Sequence, residues 1–571
     1  MILKALYDYY QRCDDLPAFG LEEKEIGFLL VLSEEGKFLR FEDCRIDKNH
    51  ARTYLVKKHV GRSSAAVANY LYDASQYVFG YSSKETAKEQ LYFDTFKEKV
   101  KSIQHAYPEN RDMRILVKFY EQDRETIIEA LRKDPLWEEV TKSLTKKYAV
   151  FSFRIDGDTE IVAQKKELLQ SDAESLSSHE GQSICLITGH HGVPVEITTA
   201  TMIAGSQAIA KLVAFQVNSG YDSYGKKQCG NAPISEEAEF AYTTALNRLL
   251  RAGSHNKFML GNRTFVFWAS SRNEASLQAE DSLFSLLGWD DTSKDDPNAK
   301  IDQVRKVFTA IYSGTLQTDL DDRFYILGLA PNSARIAVVY WAETTLRDFA
   351  QRIICHFQDM EVIDTRPQKK PYMGIKEMLS AVTMGGKQSE VVPNLPEAVM
   401  KSIFQGLPYP YTLYTACIRR IQAEQQADIR RIAILKAYLN RLNDNNLKLN
   451  IMLDSKNNNP GYICGRLFAV LDKIQYDANG IHSMKERYMN AASTTPATVF
   501  GTLLNLSSHH AEKLSEGSCI YYEKIKQEII SLLDADGFPA HLDLQDQGRF
   551  FVGYYHQMQA LYTKNEETIK E

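Results

Sequence analysis

The chain has 571 residues, is 44% hydrophobic and 25% charged, and carries 68 Lys and Arg against 74 Asp and Glu, a formal net charge of −6. That length exceeds what one core usually serves and predicts about two to four domains of an ordinary globular protein. The mild acidity excludes a whole-surface attraction to nucleic acid, so an anion site has to be a local patch.

No run of about 18 apolar residues occurs, so no membrane span is expected. The start, MILKALYDYYQRCDD, lacks the apolar core of a secretory signal. The eight cysteines stand singly and no C-x-x-C occurs. That excludes a disulfide framework or a Cys-rich zinc site and points to a reducing, cytoplasmic setting.

Taken in chain order, Lys24 to Ile46 predicts a β-hairpin around Glu34-Glu35-Gly36. Apolar residues three and four apart predict helices between Glu85 and Lys133, and YAVFSFRI returns to strand. Further on, ICLIT, KLVAFQV and RTFVFWA read as strands, while EEAEFAYTTALNRLL and KIDQVRKVFTAIY read as helices. RFYILGLAPNSARIAVVYW reads as a hairpin with its turn at Pro331-Asn332-Ser333. After Thr345 no strand is expected. Pro367 to Leu395 is loop-rich, and beyond it helical periodicity runs to the end, broken at KNNNPG and DADGFP. The expected class is α+β: a mixed N-terminal α/β region with hairpins, then a C-terminal all-helical bundle. The expected spans are 1–150, a mixed continuation at 151–365, a connector at 366–395 and the bundle at 396–571.

Four stretches could carry chemistry. Gly220-Tyr221-Asp222-Ser223-Tyr224-Gly225-Lys226 spells the G-x-x-x-x-G-K of a phosphate-binding loop. Lys227 follows where a Ser or Thr would hold Mg²⁺, and Gly230 and Pro233 oppose a helix there. The next helix is expected from Ser235, a capping hydroxyl before Glu236 and Glu237. A nucleotide hydrolase or nuclease using Gly220 to Lys227 is therefore the minor reading. Ser223, Tyr224, Gly225, Lys226 and Lys227 suit a nucleic-acid backbone better, with an ordinary surface loop as the plain alternative.

In VKKHVGRSSAAVANYLYD, Lys57, Lys58 and Arg62 precede Ser63 and Ser64 at an expected helix start. Asn69, on that helix, could read a base edge. The plain alternative is an exposed basic turn before a buried helix. Between Ala416 and Leu442, Arg419, Arg420, Arg430 and Arg431 outnumber the nearby acids. They suit nucleic acid or a solvated face. His190-His191 and His509-His510 are adjacent pairs that point apart, so no metal site is expected.

Several stretches together resemble one family. GRSSAAVANYLYDASQYVFG, SYGKKQCGNAPISEEAEFAYTTALN, FYILGLAPNSARIAVVYW, LPYPYTLYTACIRRI, NNNPGYICGRLFAVLDKIQ and RYMNAASTTPATVFGTLL, in this order, resemble the large subunit of the type I-C CRISPR effector complex, Cascade. The resemblance implies a non-catalytic surveillance subunit without a cofactor. It would recognise the protospacer-adjacent motif (PAM) in double-stranded DNA, aid strand opening and R-loop formation, and recruit a helicase-nuclease. Implied partners are CRISPR RNA, target DNA with its displaced strand, and the backbone and other Cascade subunits. A small subunit made from this chain's own C-terminal region completes the set, with Met452 as its start. The resemblance makes Asn69 the candidate PAM contact, with Lys57, Lys58, Arg62, Ser63 and Ser64 beside it. It covers Ser223 to Lys226 but not Gly220, and His190-His191 departs from it, so that turn receives no role.

Overall fold

The computed structural model describes residues 2–60, 66–82, 88–169, 183–215, 222, 224–251, 253–286, 297–365, 374–387, 390–442 and 448–568. It is α+β, with strands and hairpins in the first part and helices alone after Thr345 among the described residues. Its contacts draw two units: one of residues 13–197 and 215–245, the other of 1–12, 198–214 and 246–571. Each unit takes more than one stretch of the chain. Strand Phe28–Leu32 pairs in parallel with Val150–Ile155, so residues on both sides of the 150/151 junction serve one sheet.

In the first unit the order of that sheet is Phe38–Asp43, Phe28–Leu32, Val150–Ile155, Tyr72–Ala74. The expected hairpin forms its outer pair, turning through Gly36 at φ +77°. Strand FLLVL is buried at every position, as a central strand covered on both faces must be. Helices Glu89–Ala106, Arg111–Glu121 and Arg124–Arg132 cover it, two of them started by Asn110 and Asp123 accepting from backbone N–H groups. Phe96, Phe119, Tyr120 and Phe153 interlock in the resulting core.

The second unit has an antiparallel sheet ordered Arg335–Thr345, Arg323–Asn332, Arg263–Ala269, Lys257–Leu260. The expected hairpin is there, with Ser333 at φ +56° in its turn. Phe324 stacks on Phe349 at 4.3 Å, which welds this sheet to helix Leu346–Met360 and the helices beyond. The N-terminal helix Ile2–Gln11 belongs here too: Tyr9 sits 6.5 Å from Trp268, and Arg12 donates to the Ser271 carbonyl at 2.8 Å.

Two expected strands fail. KLVAFQV forms no strand over its described residues; Lys211 makes a single bridge to Arg335, and the Val213 carbonyl accepts from the Thr198 hydroxyl. Its backbone finds partners one at a time, so the apolar run gains no ladder. ICLIT keeps strand only at Ile184 and then turns. The expected connector also carries a packed helix, Ile375–Ala381. Its Ile375, Met378 and Leu379, spaced three and four apart, are buried in the main core.

The bundle centres on helix Pro460–Asn479, which Asn459 caps at 3.0 Å and Pro460 opens. It lies against helix Leu544–Thr568 at close backbone range. A side chain at Gly465 would collide with the Phe550 carbonyl, and one at Gly553 with the Tyr462 carbonyl. The close approach brings polar groups together across the pair: Arg466 Nε donates to Gln557 at 3.1 Å and Tyr554 to Asp472 at 3.0 Å. Gly465→Ala has no flexible neighbour to displace. It should destabilise this unit by about 1–3 kcal/mol or more, read as a lowered urea midpoint relative to wild type; an unchanged midpoint would disprove the close contact.

Candidate nucleic-acid interface

The basic segment starts on a two-stranded ribbon. Leu21–Glu25 pairs antiparallel with Thr53–Lys57, Leu21 opposite Lys57 and Glu22 opposite Val56. Val56 is buried, so its alternate neighbours Leu55 and Lys57 face the other way. Lys57 Nζ lies 4.3 Å from the Tyr70 ring centroid, a cation–π contact. Lys58 Nζ is 3.6 Å from the buried Glu239 carboxylate and 5.2 Å from the Phe240 ring centroid. Both lysines look like surface cations in sequence; each is anchored on an aromatic ring, which fixes where its charge sits.

Arg62, Ser63 and Ser64 lie outside the described residues, as does Ser223. Asn69 does not lie on a helix. Residues 66–69 have no regular structure, and the chain goes directly into strand Tyr72–Ala74. Asn69 is 9% exposed, and its Oδ1 accepts from the Val60 N–H at 3.0 Å. The amide thus ties together the two ends of the segment that contains Arg62. The physical reason is local hydrogen bonding: Asp73 accepts from the Asn69 and Ala74 N–H groups at 2.9 and 2.8 Å, which competes with helix. Leu71 is left at φ +60°, a conformation costing roughly 1–2 kcal/mol, and Ser152 holds its carbonyl at 2.8 Å.

Glu22 and Tyr72 complete the corner and were not singled out in the sequence. The Tyr72 hydroxyl lies 2.8 Å from the Glu22 carboxylate and 2.9 Å from the Lys57 carbonyl, its one proton shared between the two acceptors. His59 Nδ1 is 2.7 Å from the same carboxylate. Burial raises the Glu22 carboxyl, but the hydrogen bond and charge of His59, with Lys24 and Tyr72, outweigh it and leave the pKa below the ordinary range. Only the ribbon pairing brings Glu22 to residues 57–59, and no local signal announces that pairing.

The glycine loop departs from a phosphate-binding loop in its described part. Tyr224 at φ +57° and Gly225 at φ +72° turn the chain, and a short 3₁₀ turn, Gln228–Asn231, follows in place of a helix. The helix starts later, at Glu236, with Ser235 Oγ accepting from the Ala238 N–H at 3.3 Å, as expected. What stands at the surface is Tyr224, 96% exposed, with Lys226 and Lys227 exposed beside it. His190 and His191 are both exposed on their turn, and among the described residues no three His, Cys, Asp or Glu groups converge on a metal-sized site. Beneath that turn, burial raises the Cys185 thiol, but backbone N–H groups of Ser235, Thr188 and Ile187 bring it down to about 7.

The basic stretch is two helices and not one: Tyr411–Glu424 carries Arg419 and Arg420, and Ile429–Arg441 carries Arg430 and Arg431. Arg431 is 4% exposed: it donates to the carbonyls of Ala381 and Gln426, both at 3.1 Å, and pairs with Glu424. Arg420 meets Glu424 at 3.5 Å and Arg430 meets Asp428 at 3.2 Å. The two acids that the arginines outnumber in sequence are the ones that neutralise them in space. Arg419 is exposed.

A search of curated proteins finds no significant match. A family model described as CRISPR-associated protein (Cas_Csd1) matches residues 6–562. That match spans nearly the whole length, both units included, and the chain belongs to this family of CRISPR-associated proteins.

Proposed function

We propose that the chain is the non-catalytic large subunit of a type I-C Cascade, which recognises the PAM in duplex DNA and aids strand opening. The family match over residues 6–562 carries the reading. The corner built from Lys57, Lys58 and Asn69 supports it: cations held on rings meet phosphate without first being ordered, and their fixed positions set the register of a duplex. In this reading Asn69 acts partly at one remove, by closing the segment around Arg62. Tyr224, Lys226 and Lys227 give a second, exposed contact of stacking and charge. Guide pairing with CRISPR RNA supplies sequence, a recruited helicase-nuclease supplies cleavage, and the protein supplies PAM selection.

DNA binding by the reconstituted complex tests this. Asn69→Ala should relax PAM discrimination by about 1–3 kcal/mol. Lys226→Ala/Lys227→Ala should weaken binding to all sequences and reduce the salt slope by roughly one for each phosphate no longer neutralised. If neither variant differs from wild type, these residues are not the interface. The purified chain should hydrolyse no ATP and cut no DNA with Mg²⁺ present. Turnover that disappears in Lys226→Ala would instead establish the hydrolase reading.

The reading also gives the complex a small subunit started at Met452. That residue is 57% exposed and precedes the central bundle helix, so a product beginning there keeps both members of the Pro460–Asn479 and Leu544–Thr568 pair. Expression should yield a second band ending at Glu571, which disappears when Met452 and its codon context are replaced; a persistent band refutes this start.

A further inference from the structure

The unit that contains the bundle holds a second cationic feature, far in sequence from the corner described above. It is a cleft of about 580 Å³, lined among others by Arg352, Cys355, Asp359, Asn440, Arg441 and Lys448. Helix Leu346–Met360 supplies three of these at positions 352, 355 and 359, a spacing that keeps them on one face. Helix Ile429–Arg441 ends at the cleft and delivers Asn440 and Arg441.

Each cation is differently prepared. Arg441 Nε donates to Asp359 at 2.7 Å, and its terminal nitrogen serves the Ser402 and Leu407 carbonyls at 2.5 and 2.6 Å. Its donors are committed, so it contributes a fixed charge. Arg352 places one terminal nitrogen on the Phe404 carbonyl at 2.9 Å. Lys448 is exposed and has no hydrogen bond or ion pair among the described residues. It is nevertheless held near the cleft, because the Asn440 amide bonds both ways to its neighbour Leu449, at 2.7 and 2.8 Å. Three cations therefore face one carboxylate, and that carboxylate already has Arg441.

We propose that this cleft binds the phosphodiester backbone of a single nucleic-acid strand, with Arg352 and Lys448 donating to phosphate oxygens and Arg441 adding charge. A cleft of this volume admits a nucleotide-sized segment and not a duplex. The ligand class rests on the nucleic-acid reading above; the site rests on its own residues. Two cations with free donors, placed by a fixed third, are what phosphate recognition needs.

Cys355 offers a direct report, because it is the exposed one of the eight cysteines, with Cys519 half-buried and the rest buried. The full-length chain would be alkylated with a maleimide at low salt, and modification at Cys355 followed by peptide mass spectrometry. Oligo-dT and oligo-U should each be tried, with inorganic phosphate and polyglutamate in parallel. A strand seated in the cleft should slow Cys355 alkylation at least fivefold. The protection should fade as salt rises, vanish in Arg352→Gln/Lys448→Gln and survive in Arg352→Lys. Whether DNA, RNA or both protect identifies the strand. No protection by either strand, protection that persists in the double variant, or equal protection by inorganic phosphate or polyglutamate would overturn the proposal. The double variant should keep PAM discrimination in the reconstituted complex, so loss of protection alone bears on this cleft, and loss of discrimination in wild type bears only on the proposed function.

Discussion

The bundle depends on how closely helix Pro460–Asn479 approaches helix Leu544–Thr568. Glycines at 461, 465 and 553 allow backbone to meet backbone where any side chain would intervene. That approach sets the register of polar groups that could not otherwise be buried. Asp472, fully buried, accepts from Tyr554 at 3.0 Å and lies 3.1 Å from His482 Nδ1. Arg466, 3% exposed, needs Gln557 and the Ser455 carbonyl. A shift of one helix along the other would leave a buried charge without its partner, at a cost of several kcal/mol. Small residues thus set the distance, and the polar pairs select the alignment.

The unit with the N-terminal sheet works by a different device. The corner around Asn69 holds few repetitive bonds and many individual ones: a carboxylate on two N–H groups, a hydroxyl on the carbonyl of a strained Leu71, an amide joining Asn69 to Val60. Such a corner is energetically demanding to form and is stiff once formed. Stiffness there is useful if Lys57 and Lys58 are to present charge at fixed positions, because ordering a long side chain on binding otherwise lowers affinity.

Regular elements were legible in the sequence because their signal is local. Glu236–Leu250 and Arg263–Ala269 follow directly from periodicity and run length, and the Arg323–Asn332 and Arg335–Thr345 hairpin from its turn residues. KLVAFQV misled because a short apolar run fits a packed loop as well as a strand. The site was less legible for the same reason in reverse. Asn69 stood out as a polar residue in a basic context, yet its surroundings depend on Asp73 and Val60 and not on helical spacing. Arg431 stood out as a cation, yet Glu424, seven residues earlier, and the Ala381 carbonyl take it inside. Glu22 and Lys448 gave no signal, because strand pairing places one and an asparagine clamp the other.

The N-terminal helix has a consequence for biosynthesis. Ile2–Gln11 is made some 260 residues before Trp268, Ser271 and Glu280, against which Tyr9 and Arg12 settle. At ordinary elongation rates the delay is on the order of tens of seconds. Ala5 and Leu6, on the buried side of this helix, belong to a unit drawn mostly from residues 246–571, which are made later. Residues 13–197, which belong to the other unit, can begin to condense in that interval, so helix Ile2–Gln11 settles after the segment that follows it. A nascent-chain chaperone that shields short amphipathic helices would find a substrate in Ile2–Gln11.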